Sequence, residues 1–149
     1  MPGKSLWLIP FVLIAVTQAG NDEKAKKDLD AMQGEWVMYA LEINGKEVSP
    51  KQLERTTLII KGDEYRTKVK DREPAGMKLK LNPATDPKSM DMIQSTPGEA
   101  DKVHKAIYKI EKDTIKICRG LNPEQERPNQ FGTWPNTDVF MVTWKKKAK

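Results

Sequence analysis

A length of 149 residues, with 38% hydrophobic and 32% charged side chains, favours one small globular domain rather than two. The net charge of +5 is spread along the chain without interleaved aromatic residues, so no nucleic-acid partner is expected. A single cysteine and a single histidine exclude an internal disulfide, and we expect neither a metal site nor a cofactor.

Residues 1–19 are typical of a secretory signal peptide. Lys4 gives a positive start, the segment from Leu6 to Val16 is almost wholly apolar, and Ala19 supplies a small residue for cleavage. The apolar run is shorter than the roughly 20 residues that span a bilayer. We therefore predict export to the periplasm or the extracellular space, cleavage near Ala19 and no stable membrane insertion afterwards. A retained N-terminal anchor is the alternative.

Residues 20–33 predict a short amphipathic helix. Leu29 and Met32 are its apolar positions, Asn21 or Asp22 is the expected N-cap, and Gly34 marks the end of the helix. In a barrel, such a helix commonly covers one open end.

Alternating apolar and polar residues then recur in eight segments, most of them joined by hairpin-length turns. In the first segment, Trp36, Met38 and Ala40 share one predicted face. This pattern predicts an all-β fold: a single eight-stranded antiparallel up-and-down barrel over residues 34–146, followed by a solvated basic tail at 147–149. The predicted strands are Glu35–Ile43, Thr56–Lys61, Tyr65–Lys70, Met77–Leu81, Lys88–Ile93, Val103–Ile110, Thr114–Cys118 and Asp138–Trp144.

Shorter signals complete the predicted chain path. Asn44-Gly45 predicts a tight turn, because both residues tolerate positive φ. Ser49-Pro50 predicts the start of one helical turn, with Ser49 as N-cap. The segment from residue 119 to 137 is rich in proline, so we read it as a long connection before the last strand.

The order of short motifs resembles a family of uncharacterised exported bacterial proteins, best known from planctomycetes, with a lipocalin-like domain. The resemblance covers residues 29 to 144 and rests on motifs such as Gln33-Gly34-Glu35-Trp36 and Ala106-Ile107-Tyr108-Lys109-Ile110. It implies a calycin-type barrel whose Gly-x-Trp signature is Gly34-Glu35-Trp36, with Lys145 or Lys146 beside the tryptophan. The family's usual glycine before Ile107 is Ala106 here. The family has no established activity, so the resemblance leaves the function open.

An eight-stranded barrel is either filled by side chains or holds one small ligand. For a small apolar or amphipathic ligand, the candidate polar contacts are Tyr39, Tyr108 and Arg127, and the candidate lining residues are Trp36 and Met90. Arg127 would suit a ligand carboxylate through a bidentate contact. The alternative is that Arg127 pairs with an acidic residue, Asp91 or Glu126, while Phe131 plugs the barrel.

The methionines and tryptophans suit a packed interior. A flexible lining for apolar guests and ordinary core packing both fit Met38, Met77, Met90, Met92 and Met141. Core positions are expected for Trp36, Trp134 and Trp144, because a barrel without disulfides needs large apolar side chains. Cys118 is expected to be a buried strand residue.

These features lead to two main functional hypotheses. The first is an exported lipocalin-like protein that binds a small apolar or amphipathic molecule. The second is an envelope interaction module with a filled barrel and no small-molecule ligand. The sequence shows no catalytic motif. An enzyme would need the side chains of Tyr108, His104 and an acidic residue to come together in one cleft. The oligomeric state is open, and the volume of the barrel interior distinguishes the two main hypotheses.

Overall fold

The computed structural model describes Gly3 and residues 13–72 and 75–149. A long helix, α1 (Leu13–Met32), comes first, and a short helix, α2 (Pro50–Leu53), lies between the second and third strands. The strands are β1 (Gly34–Ile43), β2 (Lys46–Glu47), β3 (Thr56–Lys61), β4 (Glu64–Val69), β5 (Ala75–Asn82), β6 (Ser89–Gln94), β7 (Lys102–Glu111), β8 (Thr114–Gly120) and β9 (Val139–Lys146).

The strands form one closed antiparallel barrel. Each strand from β3 to β9 pairs with its neighbour in the chain, β1 pairs with β3, and β1 also pairs with β9 to close the sheet. The two-residue β2 adds to β1 outside this ring of eight. The arrangement confirms the predicted all-β, eight-stranded up-and-down barrel, and it is consistent with a lipocalin-like fold.

Helix α1 is longer than the sequence predicted. It begins at Leu13 rather than at Asn21 or Asp22, and it ends at Met32, followed by Gly34 with a φ of 115°. No proline interrupts the segment from Leu13 to Asn21, and extending a helix costs far less than nucleating one. No helix in the described part of the chain is both long and apolar enough to cross a membrane. Most of the predicted signal peptide lies outside the described residues, so export stays a prediction.

The last turns of α1 close one end of the barrel. The indole Nε1 of Trp36 donates to the Met32 carbonyl at 2.9 Å. The Gln33 side chain holds the β3–β4 turn, donating to the Gly62 carbonyl at 2.9 Å and accepting from the Gly62 N–H at 2.8 Å. Asp28 accepts from the Tyr108 hydroxyl, also at 2.8 Å. These contacts join the helix to three parts of the sheet, as expected for a barrel cover.

A β-bulge in β1 changes which side chains face the interior. The register against β9 shifts between Met38 and Ala40, so Tyr39 and Ala40 are both exposed. Beyond the bulge, Leu41 and Ile43 face inward. The prediction that Ala40 shares the face of Trp36 and Met38 was therefore wrong, because one extra residue reverses the alternation.

The predicted turn and short helix are both present. Asn44 and Gly45 have φ values of 50° and 80°, as the tight turn requires. Ser49 occupies the N-cap position of α2, although its side chain makes no capping hydrogen bond.

Packed side chains fill the half of the barrel nearest α1. This core combines residues from the helix and from both halves of the sheet. It includes Met32, Trp36, Leu58, Ile60, Leu79, Met90, Ala106, Tyr108 and Ile115. Above this layer the interior is hollow.

Candidate ligand-binding site

The hollow half of the barrel contains a cavity of about 340 Å³. The cavity is open at the end of the barrel opposite α1, where β4 meets β5 and β8 meets the long connection to β9. Its wall is mostly apolar, and Arg119 is the single charged side chain among the described lining residues. The main lining residues are Met38, Leu41, Ile43, Tyr65, Thr67, Val69, Met77, Met92, Ile117, Arg119, Phe140, Val142 and Trp144.

Arg119 points into this cavity because of its place in β8. Alternation puts it on the same face as Ile115 and Ile117, which are fully buried in the core. Its guanidinium lies 4.6 Å from the centre of the Phe140 ring, and Nη1 donates to the Gly120 carbonyl at 3.0 Å. No carboxylate within the described ranges forms an ion pair with it. Desolvation lowers the pKa of Arg119 below its ordinary value.

His104 is the nearest side-chain partner of Arg119. Nη1 of Arg119 lies 2.8 Å from Nδ1 of His104, which faces inward from β7 and is buried. Since arginine can only donate, Nδ1 accepts, and the neutral imidazole carries its proton on Nε2. Burial, and then the charges of Arg119 and Lys102, lower the pKa of His104 below 6.5. The pair therefore places one cation in the cavity wall, held by a neutral acceptor.

Folding stability should fall as the pH drops below the ordinary histidine pKa. Above about pH 6.5, His104 is neutral in both the folded and the unfolded chain. Below it, the unfolded chain takes up a proton that the folded chain resists, so the free energy of unfolding falls by at most about 1.4 kcal/mol per pH unit. The loss levels off below the lowered folded-state pKa. Urea denaturation at about pH 7.5, 6.5 and 5.5 measures this effect.

The matched control for this prediction is His104→Asn. Asparagine keeps an acceptor near the position of Nδ1 but does not titrate. The chain has one histidine, and no other side-chain type has an ordinary pKa in this window. The variant should therefore show a flatter dependence over the same range. An equal slope in both proteins would contradict the assignment to His104.

The inner end of the cavity is formed by an aromatic pair. The Tyr65 and Trp144 rings meet edge to face, with centroids 6.3 Å apart and planes at 76°. Burial raises the pKa of Tyr65 above its ordinary value, so its hydroxyl stays protonated. The indole Nε1 of Trp144 is buried and faces the Tyr65 hydroxyl; this contact lowers the Tyr65 pKa and partly offsets the effect of burial, although its geometry falls short of a good hydrogen bond.

Three of the predicted site residues lie in the closed half of the barrel, below the cavity. Trp36, Met90 and Tyr108 are fully buried in the core. Lys146 Nζ lies 5.5 Å from the Trp36 ring, the contact that the family resemblance implied. The Tyr108 hydroxyl donates to Asp28, and both burial and this carboxylate raise the pKa of the phenol.

The other two predicted site residues lie outside the cavity. Tyr39 is 63% exposed beside the bulge in β1, and Lys145 Nζ lies 5.5 Å from its ring. Arg127 binds Asp91 Oδ1 at 2.6 Å and the carbonyls of Met90 and Ala106 at 2.7 Å each. The alternative interpretation of Arg127, pairing with Asp91, is therefore confirmed.

The remaining predicted interior residues divide between the two faces of the sheet. Met38, Met77 and Met92 line the cavity, whereas Met141 lines an outer groove. Trp134 is 45% exposed, so its predicted core position was wrong; it lies in the β8–β9 connection rather than on a strand. Phe131 is half-buried and belongs to neither the core nor the cavity lining.

Cys118 is buried, as expected. It lies on the outer face of β8 under the connection to β9, with Sγ 3.5 Å from the Gly132 carbonyl. Burial raises the pKa of the thiol.

Tyr108 and His104 do not share a site. They lie four residues apart on one strand, about 13 Å at the usual rise, and their partners are Asp28 and Arg119 respectively. Within the described ranges, no three His, Cys, Asp or Glu side chains are grouped closely enough to hold a metal ion.

Arg119 was not among the predicted site residues, because the seventh strand was predicted to end at Cys118. The signal was present, since Ile115, Ile117 and Arg119 alternate along one face once the strand reaches Gly120. The alternation of apolar and polar residues seemed to end at Arg119, because this residue is polar and yet faces inward.

Fold and cavity together define a small antiparallel β-barrel with a helix-covered end and an open, mostly apolar end. Comparison of the sequence with protein-family models finds no match, and no curated protein or solved structure matches the chain either. The fold class therefore rests on the strand topology, and the family resemblance stays a prediction.

Proposed function

We propose that the chain is a lipocalin-like binding protein that holds a small apolar or amphipathic molecule in the open half of its barrel. The observation that carries the proposal is the cavity of about 340 Å³. This volume lies at the lower end of the roughly 300–1,000 Å³ range of small-molecule sites. The alternative function, an interaction module with a filled barrel, would require side chains to occupy this cavity.

The chemistry of the wall supports an apolar guest. Methionine, leucine, isoleucine and valine side chains supply half of the lining residues, and thioether side chains adapt to guests of different shape. The interior is covered on the α1 side by the packed core, so a ligand has access from the opposite end. Burial of the ligand's apolar surface would supply most of the binding free energy.

Filling the cavity should abolish binding of an apolar probe. Thr67 faces inward from β4 and lines the cavity, and a tryptophan there would occupy the space that a guest needs. Titration with the neutral fluorophore N-phenyl-1-naphthylamine should give saturable binding to the wild-type protein. Thr67→Trp should weaken that binding about tenfold or more, since roughly 60 Å² of lost apolar contact already costs a factor of ten.

Lys68→Trp is the matched control. Lys68 is the next residue of the same strand, is exposed and faces solvent, so this variant adds the same side chain outside the barrel. It should bind the probe like the wild type, while circular dichroism shows that both variants fold. Equal affinities for the two variants would place the probe outside the cavity. An absence of saturable binding to the wild type would favour the filled-barrel interaction module instead.

A further inference from the structure

The ligand class follows from the charge of the cavity wall. We propose that the barrel binds an anionic amphiphile whose carboxylate pairs with Arg119 while its apolar chain lies along the cavity. This inference rests on the proposed function and adds the chemical class of the ligand.

The cavity wall carries an unbalanced positive charge. Among the described lining residues, Arg119 carries a positive charge and no lining side chain carries a negative one. Its polar contacts are the neutral His104 ring and the Gly120 carbonyl, and its third neighbour is the Phe140 ring. Arginines at partly buried sites are usually paired with a carboxylate or phosphate, whose two oxygens fit the guanidinium fork. A ligand carboxylate would supply that partner.

The hydrogen-bonding groups of the wall include donors but no anionic acceptor among the described residues. The Trp144 indole can only donate, and its Nε1 is buried beside the Tyr65 hydroxyl in the covered half, away from Arg119. The protonated Tyr65 hydroxyl, also in the lining, is a further donor. The described lining contains no carboxylate that could bind a ligand cation, and its acceptors are the neutral oxygens of Thr56, Thr67, Gln94 and Tyr65. The charge of the described wall therefore favours an anionic guest over a cationic one.

Arg119 lies nearer the mouth of the cavity than the apolar part of the wall does. Arg119 pairs in register with Phe140, towards the open end, whereas Ile115 pairs with Trp144 in the covered half. Between them, Ile117 and Val142 are buried and apolar. A chain-like molecule therefore meets Arg119 nearer the mouth and the apolar wall further in. A medium-length alkyl chain with a terminal carboxylate matches this order and the moderate volume.

The test compares decanoate with decanol, which share a chain length and differ in charge. Isothermal titration calorimetry at about pH 8 keeps the carboxylate ionised. We expect decanoate to bind about tenfold or more tightly than decanol, the usual advantage of a hydrogen bond to a charged group. Arg119→Met should reduce this ratio to about one, because it removes the charge that only decanoate can use. Arg119→Gln provides a second variant if the methionine variant does not fold.

Arg66→Met is the matched control, because Arg66 is exposed on the outer face of β4 and pairs with Glu64. It should keep the full preference for decanoate. A second readout is the single histidine: decanoate should raise the NMR-measured pKa of His104, beside Arg119, and decanol should not.

The outcomes separate the two proposals. Equal binding of decanoate and decanol to the wild type would overturn the anionic ligand class and leave the apolar site intact. A preference that survives in both Arg119 variants would overturn the role of Arg119. No binding of either molecule, together with no N-phenyl-1-naphthylamine binding, would overturn the proposed function itself.

Discussion

Trp36→Ala should lower the free energy of unfolding by about 3–5 kcal/mol, the usual cost of removing a large buried aromatic side chain. Trp36 is fully buried where β1 leaves α1, and its indole binds the last helical carbonyl, that of Met32. The substitution leaves a cavity in the packed half of the barrel and removes the contact between the sheet and its covering helix. Urea denaturation followed by circular dichroism measures the change.

Trp134→Ala is the matched control for this loss. Trp134 is 45% exposed in the β8–β9 connection, so its removal should change stability by much less. Trp36→Phe separates the two contributions, because phenylalanine keeps much of the packing but cannot donate to Met32. A cost for Trp36→Ala no larger than that of Trp134→Ala would show that the covered end does not depend on this side chain.

Arg127→Met should lower the free energy of unfolding by about 2–4 kcal/mol, because it leaves partly buried acceptors without their donor. Nη1 of Arg127 donates to two carbonyls, those of Met90 and Ala106, and Nη2 donates to the Asp91 carboxylate. These groups belong to β6 and β7, so Arg127 joins the β8–β9 connection to the outside of the sheet. Chemical denaturation measures the loss.

Arg66→Met again serves as the control, since its ion pair with Glu64 is exposed and should contribute no more than about 1 kcal/mol. Arg127→Lys should restore only part of the stability, because a single ammonium cannot reproduce the spacing of the guanidinium nitrogens. If Arg127→Met changed stability as little as Arg66→Met, the connection would be held by other contacts. Unchanged binding of N-phenyl-1-naphthylamine in this variant is expected, because Arg127 lies outside the cavity.

Much of the fold could be predicted from local pattern. Alternation located all eight strands of the barrel to within a few residues, because each strand has one face in the core and one in solvent. The turn at Asn44 and Gly45 followed from residues that accept positive φ. The contact between Lys146 and Trp36 was expected from the family resemblance, and the structure contains it.

The candidate site was harder to predict, because inside and outside depend on register. Tyr39 lies opposite the inward-facing Trp36 and Met38, and the bulge that follows put Ala40 at the surface and turned Leu41 inward. No turn residue in the sequence marks this extra residue. Arg127 has the chemistry of a carboxylate-binding residue, yet its connection lies against the outer face of the sheet. Arg119 looked like the end of a strand, although it continues the inward face.

By itself, the sequence determined the class of fold, the number of strands and the presence of a helix before them, because these depend on the period of local patterns. The tertiary structure alone decided that the half of the barrel beside α1 is packed and that the other half is hollow. It also decided that a single arginine faces that space. Volume and charge inside a barrel arise from side chains of distant strands that meet only after closure, so no local pattern specifies them.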